Sequence, residues 1–131
     1  MPYLLDADWA IHALAGHPRI LATLKHLAPE GIAVSWITIG EIYEGAFGSP
    51  NAEAHLSSFR EFLIPFPTLN LNDPIMERFA AIRSTLRRRG ELIPDFDVIV
   101  GATALHHGLT VLTYNVRHLR RIPALNLFEE S

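Results

Sequence analysis

The apolar positions of this chain fall into short blocks with two spacings. Tyr3-Leu4-Leu5, Ile32-Ala33-Val34-Ser35 and Thr110-Val111-Leu112-Thr113 are compact runs without alternation and read as short buried strands. Phe66 to Leu71 is a further strand, interrupted by Pro67 and so either at a sheet edge or irregular, and Leu125 to Phe128 is a fifth. Elsewhere apolar residues recur at helical intervals. Asp8 is the candidate cap of a helix through about Ala15, and Pro18 opens a second helix running to about Leu27. Thr38 followed by Glu41 is a capping-box pattern that opens a third helix, which Gly45, Gly48 and Pro50 end. Asn51 to Leu63 carries Ala54, Phe59, Phe62 and Leu63 on one face. Asp73-Pro74 caps and opens a helix with Ile75, Phe79, Ile82 and Leu86 on one stripe, stopping at Gly90. Asp95 or Asp97 caps the last, which ends at Gly108.

Strands alternating with helices predict an α/β fold with a central, mainly parallel sheet of about four or five strands flanked by helices. No repeat or linker interrupts the pattern, so residues 1–131 are expected to form one domain. In such sheets sites form beyond the C-terminal strand ends, where the strand order switches. Asp6 and Asn115 each lie just past a predicted strand, and Asp97 lies at a helix start.

Composition narrows the chemistry. At 131 residues, 49% hydrophobic and 19% charged, the chain is an ordinary globular protein with no cysteine. Disulfides, thiolate metal sites and cysteine nucleophiles are excluded together. The longest apolar run, Val98 to Leu105, is far short of the roughly 20 residues of a membrane span, and no signal peptide is visible, so a cytoplasmic protein is expected. The net charge of −3 does not mark a nucleic-acid binder, but the basic residues are ten arginines and Lys25, and they cluster. Arg83, Arg87, Arg88 and Arg89 gather at one helix end, and Arg117, Arg120 and Arg121 near the C-terminus. These clusters are either solvated helix ends or patches facing RNA or a partner, with Arg87, Arg88, Arg89 and Arg117 the candidate contacts.

Four of the five aspartates form two Asp-x-Asp pairs, Asp6/Asp8 and Asp95/Asp97, each beside a strongly apolar segment. Carboxylates are costly beside a core unless something cationic joins them. Asp6, Glu41 and Asp97 are a plausible minimal oxygen set for Mg²⁺ or Mn²⁺, which take one or two carboxylates together with water and phosphate. Asp8, Asp73 and Asp95 each also fit ordinary helix caps, Glu41 fits the capping box, and Asn115 fits a turn. Asp6 is harder to explain away, because nothing local calls for a carboxylate after a buried strand.

Leu4-Leu5-Asp6-Ala7-Asp8, Ile37-Thr38-Ile39-Gly40-Glu41-Ile42, the run from Pro94 to Ala104 and Leu112-Thr113-Tyr114-Asn115-Val116-Arg117 follow one another as in the PIN-domain nucleases. Over essentially the whole chain the sequence resembles the VapC toxins of toxin–antitoxin pairs. The resemblance implies a three-layer PIN-like fold and Mg²⁺- or Mn²⁺-dependent endonucleolytic cleavage of RNA. It makes Asp6 and Asp97 metal ligands and Glu41 the third acid that positions water. It assigns Thr38 a supporting hydrogen bond and Asn115 the place of a fourth polar residue. It also implies a homodimer and a VapB-like antitoxin that blocks the acidic pocket, often with an arginine. Asp8 stands where relatives often carry Asn, and the stretch Arg117-His118-Leu119 is basic where they often carry an acid. Asp97 is preferred to Asp95 as the ligand for its spacing to Val98-Ile99-Val100; Asp95 and Asp8 keep supporting roles.

Other readings fit less well. An Asp-x-Asp after the first strand also resembles the haloacid-dehalogenase-like phosphatases, and receiver domains place acids similarly, but both require a late lysine and the one lysine is Lys25. His106 and His107 are adjacent on a predicted helix, about 100° apart, which is poor zinc geometry. The remaining alternative is a degenerate PIN-like module that binds RNA or a protein partner without cleaving.

Overall fold

In the computed structural model, which describes residues 2–129, the short apolar runs become five strands: β1 Tyr3–Leu5, β2 Ile32–Ser35, β3 Thr68–Leu69, β4 Thr110–Leu112 and β5 Asn126–Leu127. They form one sheet in the order β3-β2-β1-β4-β5, and all four pairings are parallel. The strand containing Pro67's neighbours lies at an edge, as its sequence allows. Among the described residues seven α-helices surround the sheet: α1 Ala7–Leu14, α2 Pro18–Leu27, α3 Trp36–Phe47, α4 Ala52–Leu63, α5 Asp73–Arg88, α6 Asp95–His107 and α7 Val116–Leu119.

The three-layer arrangement follows from the alternation of side chains along each strand. Leu5, Val34 and Leu112 face one way and pack with Trp9, Ile20, Leu24, Ile42 and Phe59 of α1 to α4. Leu4, Ala33 and Val111 face the other way and pack with Ile75, Leu86, Val98, Val100 and Leu119 of α5 to α7. A parallel sheet covered on both faces has no polar side, which is why its strands read as unbroken apolar runs. Gly101 lets α6 come close to the segment after α7, since a Cβ there would run into Ile122 Cδ1.

Several helix starts differ from the sequence reading; at α1 and α3 the reason is that β1 and β2 run into the helix with almost no loop. The cap of α1 is Asp6, not Asp8; it has extended backbone (φ −90, ψ 161) and its carboxylate accepts from Ala7 N–H. The cap of α3 is Ser35, the last residue of β2, and not Thr38, which lies inside the helix. Asn72, not Asp73, caps α5 through Ile75 N–H. Neither Asp95 nor Asp97 caps α6; Pro94 occupies that position and both aspartates lie in the first turn. On α4, Ala54 is exposed and Leu56 fills the buried stripe with Phe59 and Leu63. Gly90 and Gly108 adopt left-handed backbone at the ends of α5 and α6, as their positions predict. Among the described residues no helix is long and apolar enough to cross a membrane.

Candidate active site

From β1 the chain moves to β2 and β3 on one side, then returns to β4 on the other, so the strand order switches between β1 and β4. The two Asp-x-Asp regions meet there. Asp6 follows β1 and Thr113 follows β4, and Asp6 N–H donates to Leu112 C=O at 3.0 Å. Thr113 joins the two strand ends: its hydroxyl donates to Asp6 Oδ2 at 2.8 Å and accepts from Asn115 N–H at 2.9 Å. Asp8 Oδ2 accepts from Tyr114 N–H at 3.0 Å, and its other oxygen from Trp9 N–H at 2.7 Å. Asp6 and Asp8 are therefore both engaged by the protein itself. Thr113 lies inside the Leu112–Arg117 motif but no role was read for it there; its place just past a strand, beside Asp6, is the signal that could have marked it.

The opposite wall comes from helices. Glu41 lies in the second turn of α3, because α3 begins immediately after β2. Asp97 lies in the first turn of α6. Its Oδ2 accepts from Asn115 Nδ2 at 2.8 Å and lies 3.1 Å from His118 Nδ1. His118 was missed as a site residue because the four-residue helix α7, which turns it toward Asp97, was not foreseen. Among the described residues Glu41 makes no hydrogen bond or ion pair. Asp6, Asp8, Glu41, Asp97, Tyr114 and Asn115 line one cleft of about 590 Å³.

Crowding of acids in a partly dry cleft opposes their ionisation. Glu41 is pushed up to about 7, first by burial and then by Asp6, Asp97 and Asp8. Asp6 is pushed up to about 6, again by burial first and by Asp8 next, although Thr113 and Ala7 favour its charged form. Asp8 is raised by burial against the bonds from Tyr114 and Trp9. A cation would remove this penalty, and the donors are all hard oxygens of the kind Mg²⁺ and Mn²⁺ accept. As they stand, no three acidic or histidine side chains among the described residues are disposed around one ion. Two carboxylates suffice for Mg²⁺, which keeps several waters, so the set fits such an ion with water completing its shell.

The other predicted residues are placed elsewhere. Asp95 is absent from this cleft; it lies beside Phe96 at the adjoining cavity, largely exposed, and pairs with Arg83 at 2.7 Å. The Thr38 hydroxyl is buried without a hydrogen-bond partner among the described residues, so the supporting bond expected of it is not formed. Arg87, Arg88, Arg89 and Arg117 are exposed and do not line the cleft.

Residues 3–125, which contain every acid of this cleft, match the family model described as "PIN domain". The chain belongs to the PIN-domain family. Along 127 residues this PIN domain is 29% identical to Ribonuclease VapC1 of Haemophilus influenzae (strain R2866), covering 95% of each chain. It is 25% identical to the tRNA(fMet)-specific endonuclease VapC of Salmonella typhimurium, over 97% of this chain and 96% of that one. Its fold matches a chain of the crystal structure of VapBC2 from Rickettsia felis bound to a promoter DNA fragment, with a TM-score of 0.92, 26% identity and full coverage of both chains. The parallel sheet and its flanking helices are thus those of VapC-like PIN domains.

Proposed function

We propose that this PIN domain is an endoribonuclease dependent on Mg²⁺ or Mn²⁺, and the toxin of a toxin–antitoxin pair. The observation that carries the reading is the convergence of Asp6, Asp8, Glu41 and Asp97 on one cleft, with Glu41 lacking any protein partner among the described residues. The names of its relatives, ribonuclease and tRNA-specific endonuclease, support RNA as the substrate.

Asp6 and Asp97 would hold the ion, which when bound would lower the pKa of a water and neutralise charge building on the phosphate. Thr113 fixes Asp6, and Asn115 fixes Asp97, so neither carboxylate has to be ordered when substrate arrives. Glu41, which has no protein partner among the described residues, would accept a hydrogen bond from the attacking water and take its proton. Asp8 holds the β4–α7 loop against α1 instead of meeting substrate.

The VapBC complexes among its structural relatives support a VapB-like antitoxin as partner. A homodimeric toxin in the cytoplasm is part of the same proposal. Purified protein freed of metal by chelation, then given Mg²⁺ or Mn²⁺, is expected to cut RNA endonucleolytically, and Asp97→Asn to remain folded and inactive. Absence of cleavage together with absence of metal binding by calorimetry would leave a binding module in place of the enzyme. Growth arrest on expression, relieved by co-expression of the neighbouring gene's product, tests the toxin assignment separately.

A further inference from the structure

The cleft that holds the acids is one arm of a longer groove. A second cavity of about 500 Å³ adjoins it and shares Glu41, Asp97 and Asn115, so these three residues form a waist between two arms. Each arm carries one large aromatic side chain that folding has left in solvent. Tyr114, 48% exposed, stands in the first arm, and Phe96, 45% exposed, in the second. Both are anchored. Tyr114 donates its N–H to Asp8, and its ring rests against Trp9 and, edge-on, against His12 at centroid distances of 5.9 and 5.3 Å. Phe96 is in the first turn of α6, between Asp95 and the ligand candidate Asp97.

The walls of this groove are unsuited to holding a polyanion by charge. Neither arm is lined by a lysine or an arginine, and the first arm is lined by five acids. Neutralisation of flanking phosphates by lysine or arginine, which supplies most non-specific affinity for nucleic acid, is therefore not provided by the walls of either arm. Aromatic faces remain, and base stacking on them is indifferent to the sign of the wall charge. Resting on the RNA-cleavage reading above, we propose that Tyr114 and Phe96 are stacking platforms for the two bases that flank the scissile phosphate. A base can lie on an aromatic ring only when it is free of its own stack, so the substrate segment is unpaired RNA. Tyr114 lines one arm and Phe96 the other, and both arms share Glu41 and Asp97, so bases held on the two rings would have their common phosphate at these acids.

The test is a binding measurement that needs no catalysis. Asp97→Asn protein in chelator is titrated with a short fluorescent single-stranded RNA and with the same RNA as a duplex, read by anisotropy. Tyr114→Ala and Phe96→Ala added to that background are each expected to weaken single-strand binding about tenfold, and the pair of changes about a hundredfold, with duplex binding unmoved. Tyr114→Trp should restore the loss. Tyr114→Leu keeps the apolar cover over Trp9 but has no flat face, so it should behave like Tyr114→Ala; thermal unfolding confirms that each variant is folded. Equal single-strand affinity in all these variants overturns the proposal, as does failure of the parent to bind single strands at all, because stacking requires no metal. If the aromatic variants lose binding while wild type with metal cuts nothing, the platforms stand and the cleavage reading falls. If wild type cuts and the variants bind unchanged, the reverse holds.

Discussion

The two walls of the acidic cleft are built on opposite principles. On the strand side, Asp6 and Asp8 are bonded by Ala7, Trp9, Thr113 and Tyr114, and Thr113 ties the ends of β1 and β4 across 107 residues of sequence. On the helix side, Glu41 has no partner among the described residues, and Asp97 meets only Asn115 and His118 on one oxygen. Both walls are acidic, so composition alone does not separate them. What separates them is which hydrogen-bonding capacity the protein satisfies itself. A carboxylate whose oxygens the chain bonds is held in place by the frame, as Asp6 is for the ion it would share with Asp97. One the chain buries in part and leaves open is costly to the apoprotein, and that cost is relieved only by a ligand.

The contrast is broken most sharply by neutralising the open wall. Glu41→Gln and Asp97→Asn are each expected to reduce RNA cleavage by about a hundredfold or more, the usual weight of a positioned acid–base group or metal ligand. Neither should lower the unfolding temperature of the metal-free protein, and Glu41→Gln should raise it near pH 8, because it removes repulsion. Steady-state cleavage of a defined RNA and thermal unfolding in chelator check the two halves. A large loss of stability in Glu41→Gln would mean that Glu41 belongs to the frame after all.

A pH titration sharpens the same point without mutation. Asp6 and Glu41 have folded pKa values of about 6 and about 7, above their ordinary 3.8 and 4.5. Between about pH 4 and pH 7 the folded chain thus keeps protons that the unfolded chain has released. Stability must fall as pH rises through that window. For buried Asp6 the fall is on the order of 3 kcal/mol at about 1.4 kcal/mol per unit; half-exposed Glu41 adds less than its shift suggests. Mg²⁺ should recover much of the loss at pH 8 by stabilising the ionised forms. Denaturant midpoints at pH 5 and pH 8, in chelator and in Mg²⁺, provide the check, with Glu41→Gln expected to show the shallower pH dependence. An identical dependence in that variant would remove Glu41 from the account.

The frame side is tested at Thr113. Thr113→Val keeps the shape and removes the hydroxyl, leaving Asp6 Oδ2 and Asn115 N–H without their buried partner. The expected cost is about 1–3 kcal/mol, seen as a lower denaturant midpoint, with a smaller loss of cleavage than Asp97→Asn gives. If Thr113→Val abolished cleavage at unchanged stability, the division between frame and open wall would be wrong.

How much of this was legible follows the same line. The strands, the face-by-face core and the three acids could be read, because apolar runs and carboxylates beside them are local signals. Glu41 stood out through its spacing from Thr38, although the reason first attached to that spacing, a capping box, was mistaken: Ser35 caps α3. Helix starts were misplaced by one to three residues; at α1 and α3 the strand passes straight into the helix, so the extended residue that caps is the one just after β1 or the last of β2. Thr113 and His118 were not legible as site residues. Each acquires its role from a partner more than 20 positions away, at 2.8 Å to Asp6 and 3.1 Å to Asp97 respectively. A hydroxyl or an imidazole carries no such information in its own neighbourhood.

The smallest expected effect falls two residues from one of the largest. Asp95 resembles Asp97 in sequence context, and spacing alone left it as the fallback ligand. The structure leaves its side chain 57% exposed and bonded to Arg83 at 2.7 Å. An exposed pair of this kind is worth about 0–1 kcal/mol, and a carboxylate in the first turn of α6 adds a few tenths through the helix dipole. Asp95→Ala should therefore shift the denaturant midpoint by less than about 1 kcal/mol in stability and leave cleavage within about twofold of wild type. Arg83→Ala should do no more than Asp95→Ala, and the double variant should add little to either, since both single changes break the same contact. The activity half is the informative one. One helical turn presents both carboxylates, so any difference between them must come from orientation and not from local chemistry. Should Asp95→Ala lose as much cleavage as Asp97→Asn, the ligand register on α6 is shifted by two residues and the open wall must be redrawn around Asp95.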